Sequence, residues 1–462
     1  MTDAVDICDC GSLKMGLTTW CRRLGRFFLN IYGYVMWLIF GIKLYEISSD
    51  LIITNIPGSQ DLRRCFCRGK RIANGARNGS LNCSDDLGWP HPFSILADCW
   101  GKDLKVTTFG RKLIKAQYQE ALVQRLAIQQ TLRKHAGISV VPIKHPIFIV
   151  GPMFSGCNQL QALLAQDPAN QVPQLWQLLN PTPPPKSTES PADARIRETN
   201  RYIGWLTSFC PSIELILAKY ATYPAACSHV LQRSFIDLLP PVVGLNMSEY
   251  RQWLKGCSRS EMVKVYQYYK KQLQLLAFNQ GFGWRTFVLQ DPTHMLFLDA
   301  LLEVFPDACI VQMHCSPVLA ASQYCTLYSQ IAELFYRKRD INLNALGLRV
   351  LDLLTWLYEK SLTTRKRHAN NNFTSQMEEN VTFLDVNYEN YLQDPLEVVK
   401  CIYDKMGLTV SQEAILNMKE YLRDGEMKAT SGKFDHSLSK FGISEEQLKL
   451  LFGEYTRFFQ VH

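Results

Sequence analysis

The chain lacks several features that would have assigned it at once. No CxxC pair occurs among its fifteen cysteines, which removes the spacing on which most zinc sites are built. His314-Cys315 is a lone dipeptide, and no metal is expected. No dense Lys/Arg block with interleaved aromatics is present, so the net charge of +8 fits anionic ligands or a membrane surface, and no nucleic acid partner is expected. Arg365-Lys-Arg367 is the one notable late basic run and reads as a solvated helix end. The chain's best glycine-bounded loop is not followed by Gly-Lys-Ser/Thr, which excludes a P-loop nucleotide hydrolase. No N-terminal apolar run reaches the roughly 20 residues that span a bilayer comfortably.

What is present begins with a shorter run. Phe27 to Ile42 is apolar over 16 residues, with Arg22, Arg23 and Arg26 before it and Lys43 after it. Extended past a snorkelling Lys43, it reads as a thin-membrane segment over about residues 24–47. No small-residue cleavage site follows, so an uncleaved signal anchor is expected, with the bulk of the chain in a lumen. The plainer alternative is a buried or interfacial amphipathic helix. Five Asn-x-Ser/Thr sequons, at Asn78, Asn82, Asn246, Asn372 and Asn380, would be usable there. Cys65, Cys67, Cys83 and Cys99 lie close enough in sequence for disulfides whose pairing stays open. The division expected is a tail and anchor over 1–60, a linker over 61–90, a helical part over 91–144 and the main domain over 145–462.

With 47% hydrophobic residues, the main domain has a sizeable core to build. Gly110 to His135 carries apolar residues at helical spacing, and helices are also expected over Asp193–Leu217 and Tyr250–Asn279. The informative stretch runs from His145 to Leu164. Ile147-Phe-Ile-Val150 is a continuous apolar run, as in a strand covered on both faces. Gly151 ends it, and after Ser155-Gly156 the residues Leu160, Leu163 and Leu164 fall at helical spacing. A strand, tight loop and helix start of this kind aim backbone N–H groups at an anion. Two further strand–loop–helix units follow, at Phe287–Leu289 with Gln290-Asp-Pro-Thr-His294, and at Ala308–His314 with Cys315-Ser-Pro317. A short strand at Val381–Val386 follows them. The loops at strand C-terminal ends mark the edge where open α/β sheets bind ligands.

In this order, the segments resemble the sulfotransferase family, in the branch with a Gly-x-Pro-Arg-Ser/Thr-Gly-Thr-Thr loop and a later Leu-Lys-Ser-Pro-x-His segment. The likeness runs from about Asp85 to Phe459. It includes Leu163-Leu-Ala-Gln-Asp-Pro168, the proline run at Pro183, Leu298–Asp307, Asp394-Pro-Leu396 and Gly432–Gly442. The resemblance implies an α/β fold with a central parallel sheet flanked by helices, preceded here by an N-terminal membrane helix. It also implies 3′-phosphoadenosine-5′-phosphosulfate as cofactor and sulfuryl transfer to a hydroxyl or amine on a glycan, lipid or small-molecule acceptor. The membrane, a Golgi or ER single-pass type II placement, or a cytoplasmic membrane-associated one, completes the expectation.

Carried over position by position, the cofactor would contact Gly151, Phe154, Ser155, Gly156, Cys157, Asn158, Gln290, Cys315 and Gln323. His294 would act as base, since imidazole titrates near neutral pH. Several positions depart from the family. Met153-Phe154 replaces Pro-Arg, Cys157-Asn158 replaces two threonines, Gln290-Asp291 replaces Lys-Ser, Cys315 replaces the arginine for the 3′-phosphate, and Gln323 replaces a serine. Each lost charge-assisted contact costs about 1.5–3 kcal/mol. Three missing cations would weaken donor binding or turnover by several powers of ten unless a basic side chain from elsewhere, such as Arg285 or Lys264, takes their place. The other expectation is a catalytically inactive relative that binds or scaffolds.

Overall fold

The computed structural model describes residues 24, 88–186, 193–215, 217–279, 285–371, 381–424 and 437–461. The apolar run Phe27–Ile42, the sequons at Asn78, Asn82, Asn372 and Asn380, the cysteines Cys65, Cys67 and Cys83, and Gly432–His436 lie outside them. Among the described residues no helix is long and apolar enough to cross a membrane. Asn246 is exposed, and Cys99 is a buried free thiol.

The core element is a five-stranded sheet in the order β2-β3-β1-β4-β5. Its strands are β1 (Ile147–Val150), β2 (Asn170–Gln171), β3 (Thr286–Gln290), β4 (Cys309–His314) and β5 (Thr382–Asn387). Every pairing is parallel, with Ile147 opposite both Val288 and Cys309. After β1 the chain builds β2 and β3 on one side, then β4 and β5 on the other. The loops leaving β1, β3 and β4 therefore open into one crevice. Two-residue β2 is too short to show a pattern in the sequence.

Strand alternation divides the core. Phe148 and Val150 point to one face, where they join α1 (Pro90–Lys102), α2 (Thr108–Lys134), α5 (Arg259–Ala277), α6 (Leu298–Val304), α7 (Pro317–Phe335) and α8 (Leu343–Asn371). Ile147 and Ile149 point to the other, against α3 (Cys157–Leu164), α9 (Pro395–Lys405) and α10 (Gln412–Arg423). With a helix layer on each side, β1 has no polar face to keep, hence its unbroken apolar run. The helices of the 91–144 stretch share this first core with β1.

Two long helical expectations are interrupted. The 193–217 stretch forms α4 (Ala194–Thr207) and then a 3₁₀ turn from Pro211, because proline cannot continue the helix. The 250–279 stretch breaks after Lys255, and α5 restarts at a Ser258/Glu261 capping box. The C-terminal α11 (Glu445–Phe459) covers the end of β4, where Tyr455 Oη lies 2.6 Å from His314 Nδ1.

Candidate functional site

The loop after β1 turns on two left-handed residues, Phe154 (φ 69°) and Gly156 (φ 86°). Gly156 suits this, since a Cβ there would meet the Tyr388 ring at 2.7 Å. A Cβ on Gly151 would sit 2.7 Å from Met313 O, so the loop packs directly on the end of β4. Gly156 caps α3 without a side-chain hydrogen bond, leaving the cap to backbone groups. Met153 N–H donates to Tyr324 Oη at 2.8 Å, and the Phe154 ring meets Tyr324 edge-on.

The Ser155 and Cys157 side chains turn inward. Ser155 Oγ donates to Pro152 O at 2.7 Å and lies 3.2 Å from Cys157 Sγ. Burial pushes the Cys157 thiol up to about 12, so it is neutral at physiological pH. Asn158 is exposed and reaches Leu215 O at 3.5 Å. The cradle thus offers backbone donors, but no side-chain cation.

Beside it opens a cavity of about 810 Å³, lined mostly by apolar and aromatic side chains. Its walls come from α2, α4, α7, the segment 226–239 and the loop after β3. Met153 and Asn158 join it to the anion loop, and Gln290, Asp291 and Thr293 form its floor. Asp291 is 1% exposed and accepts the Thr293 N–H at 2.8 Å. Burial pushes its carboxyl up to about 6. Asp237, on the same wall, is raised to about 6 by burial as well. His229 is lowered to about 4 by its enclosure and by Arg233. Arg233 is engaged with Gln272 Oε1 at 2.9 Å and with the Leu178 carbonyl.

Of the residues that the sequence points to, the loop Gly151–Asn158 and Gln290 come together at this edge. Gln290 is buried, and its Oε1 lacks a hydrogen-bond partner. Cys315 is buried at the end of β4, its thiol raised by burial. Gln323 is buried on α7 with Oε1 unpartnered, and neighbouring Ser322 spends its hydroxyl on Leu319 O. His294 departs from its expected place. It is fully buried, bonded through Nδ1 to Tyr266 Oη at 2.9 Å and set edge-on against Phe148. It does not line the cavity. Burial lowers its pKa to about 3, so the imidazole is neutral, with Nε2 unpartnered; it is the burial and the place away from the cavity lining that count against its expected role as base.

Neither distant cation compensates. Lys264 is exposed on α5, and Arg285 precedes β3 at the opposite edge, beside Asp167 and Asn170. Arg365 does reach the second halves of β4 and β5, but Asp385 holds it at 2.7 Å through both oxygens. His314 Nε2 lies 3.0 Å from the same carboxylate. Burial raises the Asp385 carboxyl, yet these two partners outweigh it and hold it at about 2.

The buried ionisable groups set opposing pH dependences. Asp237 and Asp291 bind protons more tightly folded than unfolded, so they lower stability as pH rises from about 4 to about 6. His229 and His294 bind protons less tightly folded, so they raise stability over the same window. Asp291→Asn removes one of the falling contributions. Unfolding free energies by urea at about pH 4, 5 and 6 are expected to climb more steeply in the variant, by up to about 1.4 kcal/mol per pH unit. An unchanged slope would contradict the raised carboxyl.

The parallel sheet, glycine-bounded helix start and adjoining cavity define a protein that presents an anion loop to a pocketed ligand. The chain belongs to the sulfotransferase family, whose profile, described as Sulfotransferase family, matches residues 146–412. Sulfotransferase STF1 from Mycobacterium tuberculosis H37Rv superposes with a TM-score of 0.68 at 23% identity, covering 85% of this chain and 98% of that one. Sulfotransferase STF9 from Mycobacterium avium gives 0.71 at 22% identity, covering 87% and 97%. At these identities the structural likeness speaks for the fold. No curated protein matches the chain.

The cavity wall was not legible beforehand. Thr199 and Trp205 sit in the stretch 193–217, expected only as a helix, and Asp237 and Tyr328 lie outside the segments singled out for chemistry. The available signal was Arg233-Ser-Phe-Ile-Asp237, two opposite charges spaced within an apolar segment.

Proposed function

We propose that the chain transfers a sulfuryl group from 3′-phosphoadenosine-5′-phosphosulfate to an acceptor hydroxyl or amine held in the cavity, with Asp291 receiving the proton. The observation that carries this reading is that the anion loop and a buried carboxylate share one cavity wall. Fit to the donor is judged on the loop itself: Gly151 and Gly156 stand where a Cβ would collide, and the α3 start has no competing side-chain cap. Backbone groups of Gly151, Gly156, Cys157 and Asn158 would hold the sulfuryl end, the Ser155 N–H being engaged with Pro152 O at 3.3 Å. Gln290 and Gln323 stand where the family carries a lysine and a serine, and their amide N–H groups would meet the donor's oxygens; the unpartnered Oε1 atoms are acceptors and would not. When bound, the donor supplies the sulfuryl group and a phosphate leaving group.

The remaining work falls to this chain. Asp291, raised toward neutrality by burial, is matched to accept a hydroxyl proton near pH 7. The apolar walls exclude water that would compete as acceptor. Lacking cations in the loop, the chain binds the donor weakly and turns over slowly. The apolar run Phe27–Ile42 with its basic flanks supports a membrane-associated setting, and the sequons support a luminal one.

Incubating the full chain with ³⁵S-labelled donor and hydroxylated or aminated acceptors tests the reading. Label on an acceptor, lost in Asp291→Asn, is the expected result. No label, together with no thermal stabilisation by millimolar 3′-phosphoadenosine-5′-phosphate, would overturn it.

A further inference from the structure

Building on the sulfuryl-transfer reading, we infer that the acceptor is a neutral, extended apolar alcohol whose hydroxyl sits at Gln290 and Asp291 while its hydrocarbon body runs toward α2. Three observations carry this. First, the cavity of about 810 Å³ is mainly apolar and aromatic, with Trp205, Phe209 and Ile331 among its lining. A sugar would bury many hydroxyl groups against walls that cannot bond them.

Second, the apolar lining carries a small set of unpartnered polar atoms, one each on α2, α4 and the end of β3. Gln124 Oε1, Thr199 Oγ1 and Gln290 Oε1 are buried atoms of residues that line the cavity, and none has a hydrogen-bond partner. Buried polar atoms are satisfied in the great majority of native structures, so such orphans point to a ligand that brings its own hydrogen-bonding group. The one next to Asp291 in the chain is Gln290 Oε1, and a ligand hydroxyl answers it: its O–H is available to Gln290 Oε1 in the resting complex and to Asp291 during transfer. In that step the acceptor O–S bond forms, the donor's S–O bond to phosphate breaks, and the hydroxyl proton goes to Asp291.

Third, charge on the walls argues against an anionic acceptor. Asp237 and Asp291 face the space, while Arg233 is already bonded to Gln272 and the Leu178 carbonyl. The open side runs along α2, where Lys112, Ala116 and Glu120 are exposed at successive turns. Their spacing of four places all three on one helix face, which gives a long molecule an entry to the apolar interior.

Binding can be read without turnover because Trp205 lines the cavity. In the full chain, 11-bromo-1-undecanol added from solution, or a brominated sterol in phosphatidylcholine vesicles, is expected to quench tryptophan fluorescence saturably at micromolar concentration. Trp205→Phe should remove that component. Ala116→Trp, at an exposed position on α2, should weaken quenching at least tenfold. Quenching from solution alone identifies a soluble alcohol, and quenching from vesicles alone a membrane alcohol; either supports the inference. Quenching without sulfate transfer supports the occupant and overturns the catalytic reading. Transfer to a sugar with no quenching by either alcohol leaves catalysis standing and overturns the inference. Quenching unaffected by Ala116→Trp and by Trp205→Phe also overturns it.

Discussion

Asp291→Asn is expected to lower sulfuryl transfer by about 10²- to 10⁴-fold, the usual range for loss of a positioned proton acceptor. The fold should tolerate the change. The asparagine oxygen can still accept the Thr293 N–H that Asp291 takes at 2.8 Å, and an amide is cheaper to bury than a carboxylate. Donor-product affinity should hold or improve, because a negative charge beside the anion loop is removed. The pH profile supplies an independent check. With its carboxyl raised to about 6, Asp291 becomes competent as pH rises through that value, so wild-type activity should climb there and the residual activity of the variant should not. His294→Phe, in contrast, should cost stability through the lost Tyr266 hydrogen bond while leaving the pH limb in place. Rates measured from pH 5 to 8 on both variants decide between the two residues.

Phe154→Arg should have the opposite sign. Phe154 already occupies a left-handed backbone position at φ 69°, so any L-residue there bears similar strain and the exchange is close to neutral in that respect. The side chain is only half-buried, against the edge of Tyr324, a ring that an arginine stem can also cover. A guanidinium placed over the loop restores a charge-assisted contact of about 1.5–3 kcal/mol, which is roughly 10- to 150-fold in affinity for 3′-phosphoadenosine-5′-phosphate. Calorimetric titration at fixed ionic strength measures it. Unchanged affinity would mean that the loop does not hold the donor's sulfuryl or phosphate end.

The sequence and the structure agree best where the signal is local. Ile147–Val150, Phe287–Leu289 and Ala308–His314 are strands because a sheet covered on both faces needs continuous apolar runs, and such runs survive in one dimension. Gly151 and Gly156 were legible because each marks a backbone position at which a Cβ collides. The long α2 followed from its spacing, although its buried stripe includes Arg125, whose guanidinium bonds Arg233 O at 2.9 Å and lies over Tyr268. No helical pattern distinguishes that residue from a solvated one.

His294 shows the limit of motif reasoning. Its place in Gln290-Asp-Pro-Thr-His294 matches a family pattern, but Asp291 is the extended cap before the 3₁₀ turn and His294 lies within it, and only the packing around the turn decides which side chain meets the cavity. Here Asp291 faces the cavity and His294 packs beneath β1. Likewise the substitutions at Phe154, Gln290 and Cys315 announced a loss of cations, but only packing shows that Arg285 stands at the wrong edge and that Arg365 is held by Asp385.

By itself, then, the sequence determined the strand–loop–helix units, their parallel order and the missing charge, because hydrophobic period, glycine and residue type are properties of neighbours along the chain. The tertiary structure alone decided the cavity, the raised carboxylate at Asp291 and the silencing of His294. Enclosure and desolvation arise from elements as far apart as α2, α4 and the loop after β3, and no local window of the sequence contains them.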